Sequence, residues 1–312
     1  MAIETTLGHR GSKSTVKRHG EWARILRRAA SLPQGRSGLV VLGFVVLVAV
    51  VGPFVTPYSP TASIVGPYSD PSPQVLLGGD ELGRDVLSRV LDGGWVLLIM
   101  AIIATTFGMV VGAAGGIAAA YLRGFWDGAI MRTVDVILAF PQLVFALLLV
   151  SIIGPKPWLI VFAVGFSHAP QVARVIRSAA LDVTERDFIK AHEALGVTRR
   201  RIMVKEILPN LISPLMVESG LRVTYSIVII AGLSFLGFGQ APPAANWGVM
   251  INENRAGLML NPWGVIIPAI LIALLTIGTN TFADSVARVT IGIDRAAETS
   301  DQPNAVVPAE EK

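Results

Sequence analysis

Apolar residues in this chain come in long blocks, and polar residues gather between them. About 20 mostly apolar residues carry an α-helix across the hydrocarbon core of a bilayer. Six blocks are of that kind: Gly38 to Phe54, Trp95 to Ala120, Ile130 to Ile153, Pro157 to Ala173, Leu211 to Gly237 and Trp263 to Ala283. The pattern predicts an all-α, polytopic membrane protein with six transmembrane helices. The first block is too long for a signal-peptide core, follows a head of 37 residues and precedes no small-residue cleavage site. It is expected to be a retained anchor.

Between the blocks the periodicity changes. In DELGRDVLSRVL, Leu82, Val86 and Val90 share one helical face, with Asp80 and Glu81 at the amino end where negative charge suits the dipole. This predicts a short amphipathic helix on the outer surface. The stretch GFGQAPPAANWGVMINENRAGLMLNPW, rich in Gly, Pro and Asn, reads as a structured outer loop. Within the blocks, Gly108, Gly112, Gly116 and Ala120 form a row of small residues that lets a second helix approach closely. Pro141, Pro170 and Pro268 are expected to kink or interrupt their helices.

One polar stretch keeps a helical period. Thr184 and Asp187 predict a capping-box start, after which Phe188, Ala191 and Leu195 fall on one face. Gly196 is placed to end that helix in a left-handed conformation. Thr198 then opens a second helix, RRRIMVKEIL, that runs to Pro209. Arg199, Arg200 and Arg201 in its first turn have the wrong sign for a helix amino end, so lipid phosphates or an acidic groove on another cytoplasmic protein must compensate them.

Composition agrees with the blocks: 52% of residues are hydrophobic, 15% are charged, and the mean hydropathy is +0.60. The absence of cysteine excludes disulfides and thiolate metal sites. The net charge of +4 reads as orientation rather than as affinity for nucleic acid. Eight Lys and Arg precede Gly38, Arg123 and Arg132 follow the second block, and eight more lie between Arg174 and Lys205. The opposite side holds Arg84, Arg89, Lys156 and Arg255. Basic residues mark cytoplasmic loops, which puts both termini inside. The expected divisions are a basic cytoplasmic segment at 1–37, a permease domain at 38–285 and a cytoplasmic tail at 286–312. In the head, Trp22, Ile25 and Leu26 suggest an amphipathic turn on the inner leaflet.

Ionisable groups at membrane depth are costly unless partnered. Asp135 is expected to pair with Arg132 on its own helix. Glu218 and Arg222, four residues apart, should face the bundle interior, either as a neutralised structural pair or lining a route for a zwitterionic peptide. His168, beside Pro170, reads as a helix-to-helix hydrogen bonder or as a contact for cargo, and His192 lies on the cytoplasmic helix pair.

The cytoplasmic pair resembles the EAA loop of ATP-binding-cassette importer permeases. Ala191, Gly196, Leu208 and Pro209 keep its pattern, whereas Lys190 stands for the glutamate, His192 for the second alanine and Glu206 for the isoleucine. The segments LGGDELGRDVLSRVLDGG, MRTVDVILAFPQL and SFLGFGQAPPAANWGVM are similar, in order, to regions of dipeptide and oligopeptide importer permeases of the DppC/OppC type. The resemblance implies the type I ABC importer permease fold and a peptide cargo. It also implies a second homologous permease subunit, an extracytoplasmic substrate-binding protein and two ATPase subunits that hold ATP and magnesium. Lys190, Ala191, His192, Gly196, Leu208 and Pro209 would then be the ATPase-coupling loop. The chain has no phosphate-binding loop and no Gly-Lys pair, so no nucleotide, catalytic activity or cofactor of its own is expected, and no metal or nucleic acid. Nickel and glutathione permeases of the same family, and an ion-coupled secondary transporter, are the alternatives.

Overall fold

A computed structural model of the chain describes residues 21–239 and 244–301. The expectations for the head before residue 21, for the side chain of Trp22 and for the chain after residue 301 lie outside the described residues.

The described chain opens with α1 (Glu21–Ser31) and α2 (Pro33–Val51), whose proline at the first helical turn needs no amide partner there. An irregular outer segment leads to α3 (Val86–Asp92) and α4 (Gly94–Leu122). Next come α5 (Gly124–Leu138), α6 (Gln142–Ile153) and α7 (Pro157–Thr184), then the short α8 (Asp187–Ala194) and α9 (Arg199–Ile202). The chain continues through a π-helical turn at Met203–Ile207 and a 3₁₀ turn at Leu208–Leu211 into α10 (Ile212–Leu233), and ends with α11 (Trp247–Asn254) and α12 (Trp263–Asp301). Among the described residues there is no strand, only two isolated bridges in the outer segment.

Five helical stretches are long and apolar enough to cross a membrane, and a sixth crossing exists if α5 and α6 form one span. That span is interrupted at Pro141, as expected there: α5 and α6 are bent by 81° across a short break. Proline lacks the amide that would continue the helix and pushes the preceding residue out of the α region. Pro170 and Pro268, by contrast, sit inside α7 and α12 without ending them.

Three boundaries differ from expectation. Thr184 belongs to the last turn of α7, where its hydroxyl donates to Leu181 O at 2.8 Å, so it caps nothing. The outer amphipathic helix starts at Val86, not Asp80, because Asp85 is its cap, accepting from Ser88 N at 2.8 Å. Pro209 does not terminate a helix; it sits at the start of the 3₁₀ turn, so the cytoplasmic segment flows into α10. Helix α12 continues to Asp301.

The glycine row packs α4 on α7. A Cβ at Gly108, Gly112 or Gly116 would lie 2.6, 2.5 and 2.5 Å from the carbonyl oxygens of Gly165, Ala169 and Ala173, so the two backbones run in contact over three turns. Gly115, one residue away on the same helix, meets nothing nearer than 3.9 Å. Thermal unfolding of purified protein should therefore show Gly112→Ala destabilised by about 1–3 kcal/mol through overpacking. Gly115→Ala should be neutral or stabilised, since alanine is the better helix former. Equal behaviour of the two would contradict the packing role.

Apolar burial is layered. One cluster joins Leu97, Ile160, Ile230, Trp247 and Leu275. A second joins Ile117 and Ile176 to Ile189, Ile202, Ile207 and Leu211. This second cluster ties α8 and α9 to the carboxyl-terminal halves of α4 and α7.

Candidate functional site

The loop between α7 and α10 is a compact body. Ile189 is the buried anchor of α8, while Lys190 and Ala191 point outward and Leu195 is 79% exposed. The helix ends where expected: Gly196 has φ +71°, its amide donates to Glu193 O at 2.9 Å, and Val197 N donates to His192 O at 3.0 Å. His192 Nδ1 donates to Phe188 O at 2.7 Å, and its Nε2 lies 3.8 Å from Glu206 Oε1 on the following segment. Thr198 occupies the cap position of α9 without a side-chain cap bond. Lys190, Ala191 and His192 lie within α8 and Gly196 just past its end, and Leu208 and Pro209 lie at the foot of α10.

Deeper in the bundle, Glu218 and Arg222 are 4% and 8% exposed. Arg222 Nε and Nη2 donate to Glu218 Oε1 at 2.7 and 2.6 Å, Nη1 donates to Gln171 Oε1, and the guanidinium lies over the Tyr225 ring. The predicted pair therefore exists and is tied to α7 by Gln171, a residue with no signal in the sequence. His168 is fully buried and contacts neither member of the pair by hydrogen bond among the described residues. Its Nδ1 is 3.3 Å from Gln142 Nε2 and its Nε2 is 3.1 Å from Ser226 Oγ, which in turn is 2.9 Å from Thr105 Oγ1. Gln142 Nε2 also donates to Ser167 O at 3.0 Å, which fixes it as a donor and leaves Nδ1 of His168 as the acceptor. The imidazole N–H then points at Ser226. His168 is the helix-to-helix bonder that a buried membrane histidine is expected to be.

Gln142 opens α6 just after the break, so this chain of four side chains joins the half-helix to α7, α10 and α4. It and the Glu218, Arg222, Gln171 group lie one helical turn apart on the seam between α7 and α10. Replacing Gln142 by leucine would leave His168 Nδ1 and Ser167 O without their donor. A loss of about 1–3 kcal/mol in thermal stability is the expected result, and a change below about 0.5 kcal/mol would show the bonds to be incidental.

The acidic residues of α5 pair across the fold. Asp135 accepts from Arg174 at 2.6 Å rather than from Arg132, and Asp127 takes both a Nε and a Nη2 hydrogen bond from Arg177 at 2.6 Å. The bend at Pro141 lays α5 across α7, which brings its carboxylates to arginines that share a face of the neighbouring helix.

Between α2 and α3 the sequence concealed a buried ionic plate. Asp80, Arg84 and Arg89 are essentially inaccessible. Asp80 Oδ2 accepts from Arg84 Nε at 2.6 Å and from Arg89 Nη1 at 2.5 Å, while Oδ1 accepts from the amides of Leu82 and Arg84 at 2.9 and 2.8 Å. Glu253 Oε2 joins from the other outer loop, 2.7 Å from Arg89 and 3.1 Å from Arg84. Burial pushes the Glu81 carboxyl up, and the neighbouring Glu253 adds to it while Arg84 opposes it. Trp247 Nε1 donates to Val90 O at 2.8 Å, and Asn261 Nδ2 donates to Leu77 O and Gly79 O at 3.0 and 2.9 Å.

An apolar groove of about 770 Å³ runs along α4 and α10 and down to the cytoplasmic segment. Met109, Ala113, Ile117, Leu215 and Val223 form its walls, Met203 and Leu208 its lower end, and Thr105 and Ser219 are among its few polar groups.

Two families match the chain: residues 112–290 match the binding-protein-dependent transport system inner membrane component family, and residues 21–75 match the N-terminal transmembrane domain of oligopeptide transport permease C. A putative peptide transport system permease protein of Brucella suis biovar 1 is 35% identical over 84% of this chain and 88% of its own length. The glutathione transport system permease protein GsiD of Escherichia coli O6:K15:H31 is 33% identical over 85% of this chain and 87% of its own. Among solved structures, the inward-facing MetNI methionine ABC transporter aligns with a TM-score of 0.49 at 18% identity, covering 70% of this chain and 97% of that one.

Proposed function

The chain belongs to the family of binding-protein-dependent transport system inner membrane components, and from that premise we propose that it carries peptides inward as one of two permease subunits. The observation that carries the reading is the cytoplasmic loop. It is a folded pair of helices, packed on the feet of α4 and α7 and continuous with α10, that exposes Lys190, Ala191 and Leu195. Such a body transmits a displacement to the spans instead of absorbing it.

In this reading Lys190, Ala191, His192, Gly196, Leu208 and Pro209 couple the spans to two ATPase subunits, which bind ATP and magnesium. The permease itself catalyses nothing. Both termini face the cytoplasm, with a basic segment at 1–37 and a tail at 286–312 flanking the permease domain. The second permease subunit closes the path along the groove between α4 and α10, and a substrate-binding protein delivers cargo to the outer plate. The peptide assignment is supported by chain-length relatives named for transport of peptides and of glutathione, itself a peptide.

The assembled importer, reconstituted with its ATPase subunits and binding protein, is expected to take up a peptide with ATP hydrolysis. Uptake by this chain alone on an ion gradient would replace the reading with a secondary transporter. For the path, Glu218, Arg222 and His168 supply polar groups at membrane depth. Glu218→Gln combined with Arg222→Gln should lower uptake at least tenfold at unchanged membrane abundance, a change of about 1.4 kcal/mol in barrier. Normal uptake would make the pair structural only.

A further inference from the structure

The groove between α4 and α10 contains three hydroxyl side chains, Thr105, Thr106 and Ser219, and among the described residues no charged group lines it. Two of the three protons are already engaged. Thr106 Oγ1 donates to Ile102 O at 2.8 Å and Ser219 Oγ donates to Met216 O at 2.8 Å, each to a carbonyl of its own helix. Thr105 makes no such bond among the described residues. Its hydrogen-bond partner there is Ser226 Oγ, 2.9 Å away on α10.

The direction of that bond follows from the far end of the chain of side chains. Gln142 Nε2 donates to His168 Nδ1, so the imidazole proton sits on Nε2 and is donated to Ser226 Oγ at 3.1 Å. Ser226 is fully buried, and besides His168 its hydroxyl meets only Thr105 Oγ1 among the described residues. A buried hydroxyl proton left without an acceptor is costly, so Ser226 donates and Thr105 accepts. The polarity therefore runs from Gln142 through His168 and Ser226 to Thr105, and leaves the Thr105 proton without an acceptor. Thr105 is itself only 4% exposed, and the space that it lines is the groove.

Apolar walls around one free donor select what it can hold. An ionised carboxylate or ammonium would lose its hydration there with no countercharge among the lining side chains, whereas a neutral amide carbonyl needs one donor and no charge. Every peptide carries such a carbonyl, whatever its side chains.

We propose that Thr105 is a specificity-determining donor of the transport path, giving its hydroxyl proton to a backbone carbonyl oxygen of the passing peptide. Ser226 and His168 are positioning residues that orient this donor by occupying its acceptor side. The proposal rests on the reading of the groove as the path of a peptide.

The test uses the complete importer in liposomes supplied with a casein hydrolysate. The peptide accumulated fastest, identified by mass spectrometry, is remade with each backbone carbonyl oxygen replaced in turn by sulfur, a poorer acceptor. At limiting concentration one of these thioamides should enter about three- to tenfold more slowly than the parent, the range of one neutral hydrogen bond. In Thr105→Val that ratio should fall to about one, through a higher concentration for half-maximal uptake of the parent rather than a lower maximal rate. Ser226→Ala should act in the same direction, because Thr105 is then free to donate to its own helix as Thr106 does. Thr105→Ser keeps the hydroxyl and should keep the ratio. The binding protein's own preference enters every variant alike and cancels.

Equal entry of parent and thioamides in wild type, or an unchanged ratio in Thr105→Val, overturns the assignment of Thr105 and leaves the path reading intact. Absence of any peptide uptake by wild type overturns the path reading and the proposal with it. If Thr105→Val fails to assemble, Ser226→Ala decides, and an unchanged ratio there overturns the proposal.

Discussion

Gly196→Val is expected to lower ATP-driven uptake about tenfold or more while the protein still inserts and accumulates. Gly196 holds φ at +71° between α8 and α9, and an added Cβ there meets no atom within 4 Å. The effect therefore comes from the backbone rather than from a clash. A left-handed residue with a Cβ costs about 1–2 kcal/mol, most for a β-branched side chain. The loop can avoid that cost only by swinging α8 relative to α9. Since 1.36 kcal/mol is tenfold in a rate, even a modest displacement at the coupling surface should be visible. Gly196→Asn is the control, because asparagine adopts this conformation readily and should keep most uptake. For the same reason Gly196→Asp is a poorer probe than valine. Uptake and ATP hydrolysis measured together would show the two separating in the valine variant; normal uptake by Gly196→Val would remove the loop from the coupling mechanism.

Asp80→Ala should be the most destabilising single change on the outer side, by about 3–5 kcal/mol. Asp80 is fully buried and each of its oxygens accepts two bonds, Oδ2 from two guanidinium groups and Oδ1 from two backbone amides. Removing it leaves Arg89 buried against Glu253 and Arg84 against Glu253 and, at 3.8 Å, Glu81, and a buried charge without its partner costs far more than the intact pair contributes. Asp80→Asn should be intermediate, because one amide oxygen still serves the backbone donors. Glu81→Gln should be neutral or stabilising, since the raised carboxyl of Glu81 reports that its charged form is disfavoured where it stands. Such a group favours folding below its unfolded value and loses that contribution as pH rises through its folded value. Thermal unfolding of the purified protein, with proteolysis at the outer face, ranks the three. Asp80→Ala within 1 kcal/mol of wild type would show that the plate contributes little to stability.

What could be read from the residues was whatever local spacing controls. Apolar blocks fix helices long enough to cross a bilayer, a glycine after a helical period fixes the end of α8, and carboxylate and arginine four apart on one helix must meet, as Glu218 and Arg222 do. The family resemblance was legible for the same reason, because its motifs are short and contiguous.

Other features depend on distances between segments that the chain does not state. Pro141 announced a disturbance, but only packing decides between a kink and an 81° break, since the freed carbonyls must find partners in neighbouring helices. Once α5 turned across α7, Asp135 met Arg174 instead of the arginine on its own helix. Asp80 and Glu81, read as the start of an amphipathic helix, became part of a buried plate because Glu253, about 170 residues later, closes the charge cluster. His168 likewise gained its partners Gln142 and Ser226 from two other helices. The sequence by itself determined a helical membrane chain in which α8 ends at Gly196, because those properties follow from periodicity along one chain. Which polar groups are buried together was decided only by the tertiary structure, because in a low-dielectric interior each such group must be matched by whatever side chain the neighbouring helix brings within hydrogen-bond reach.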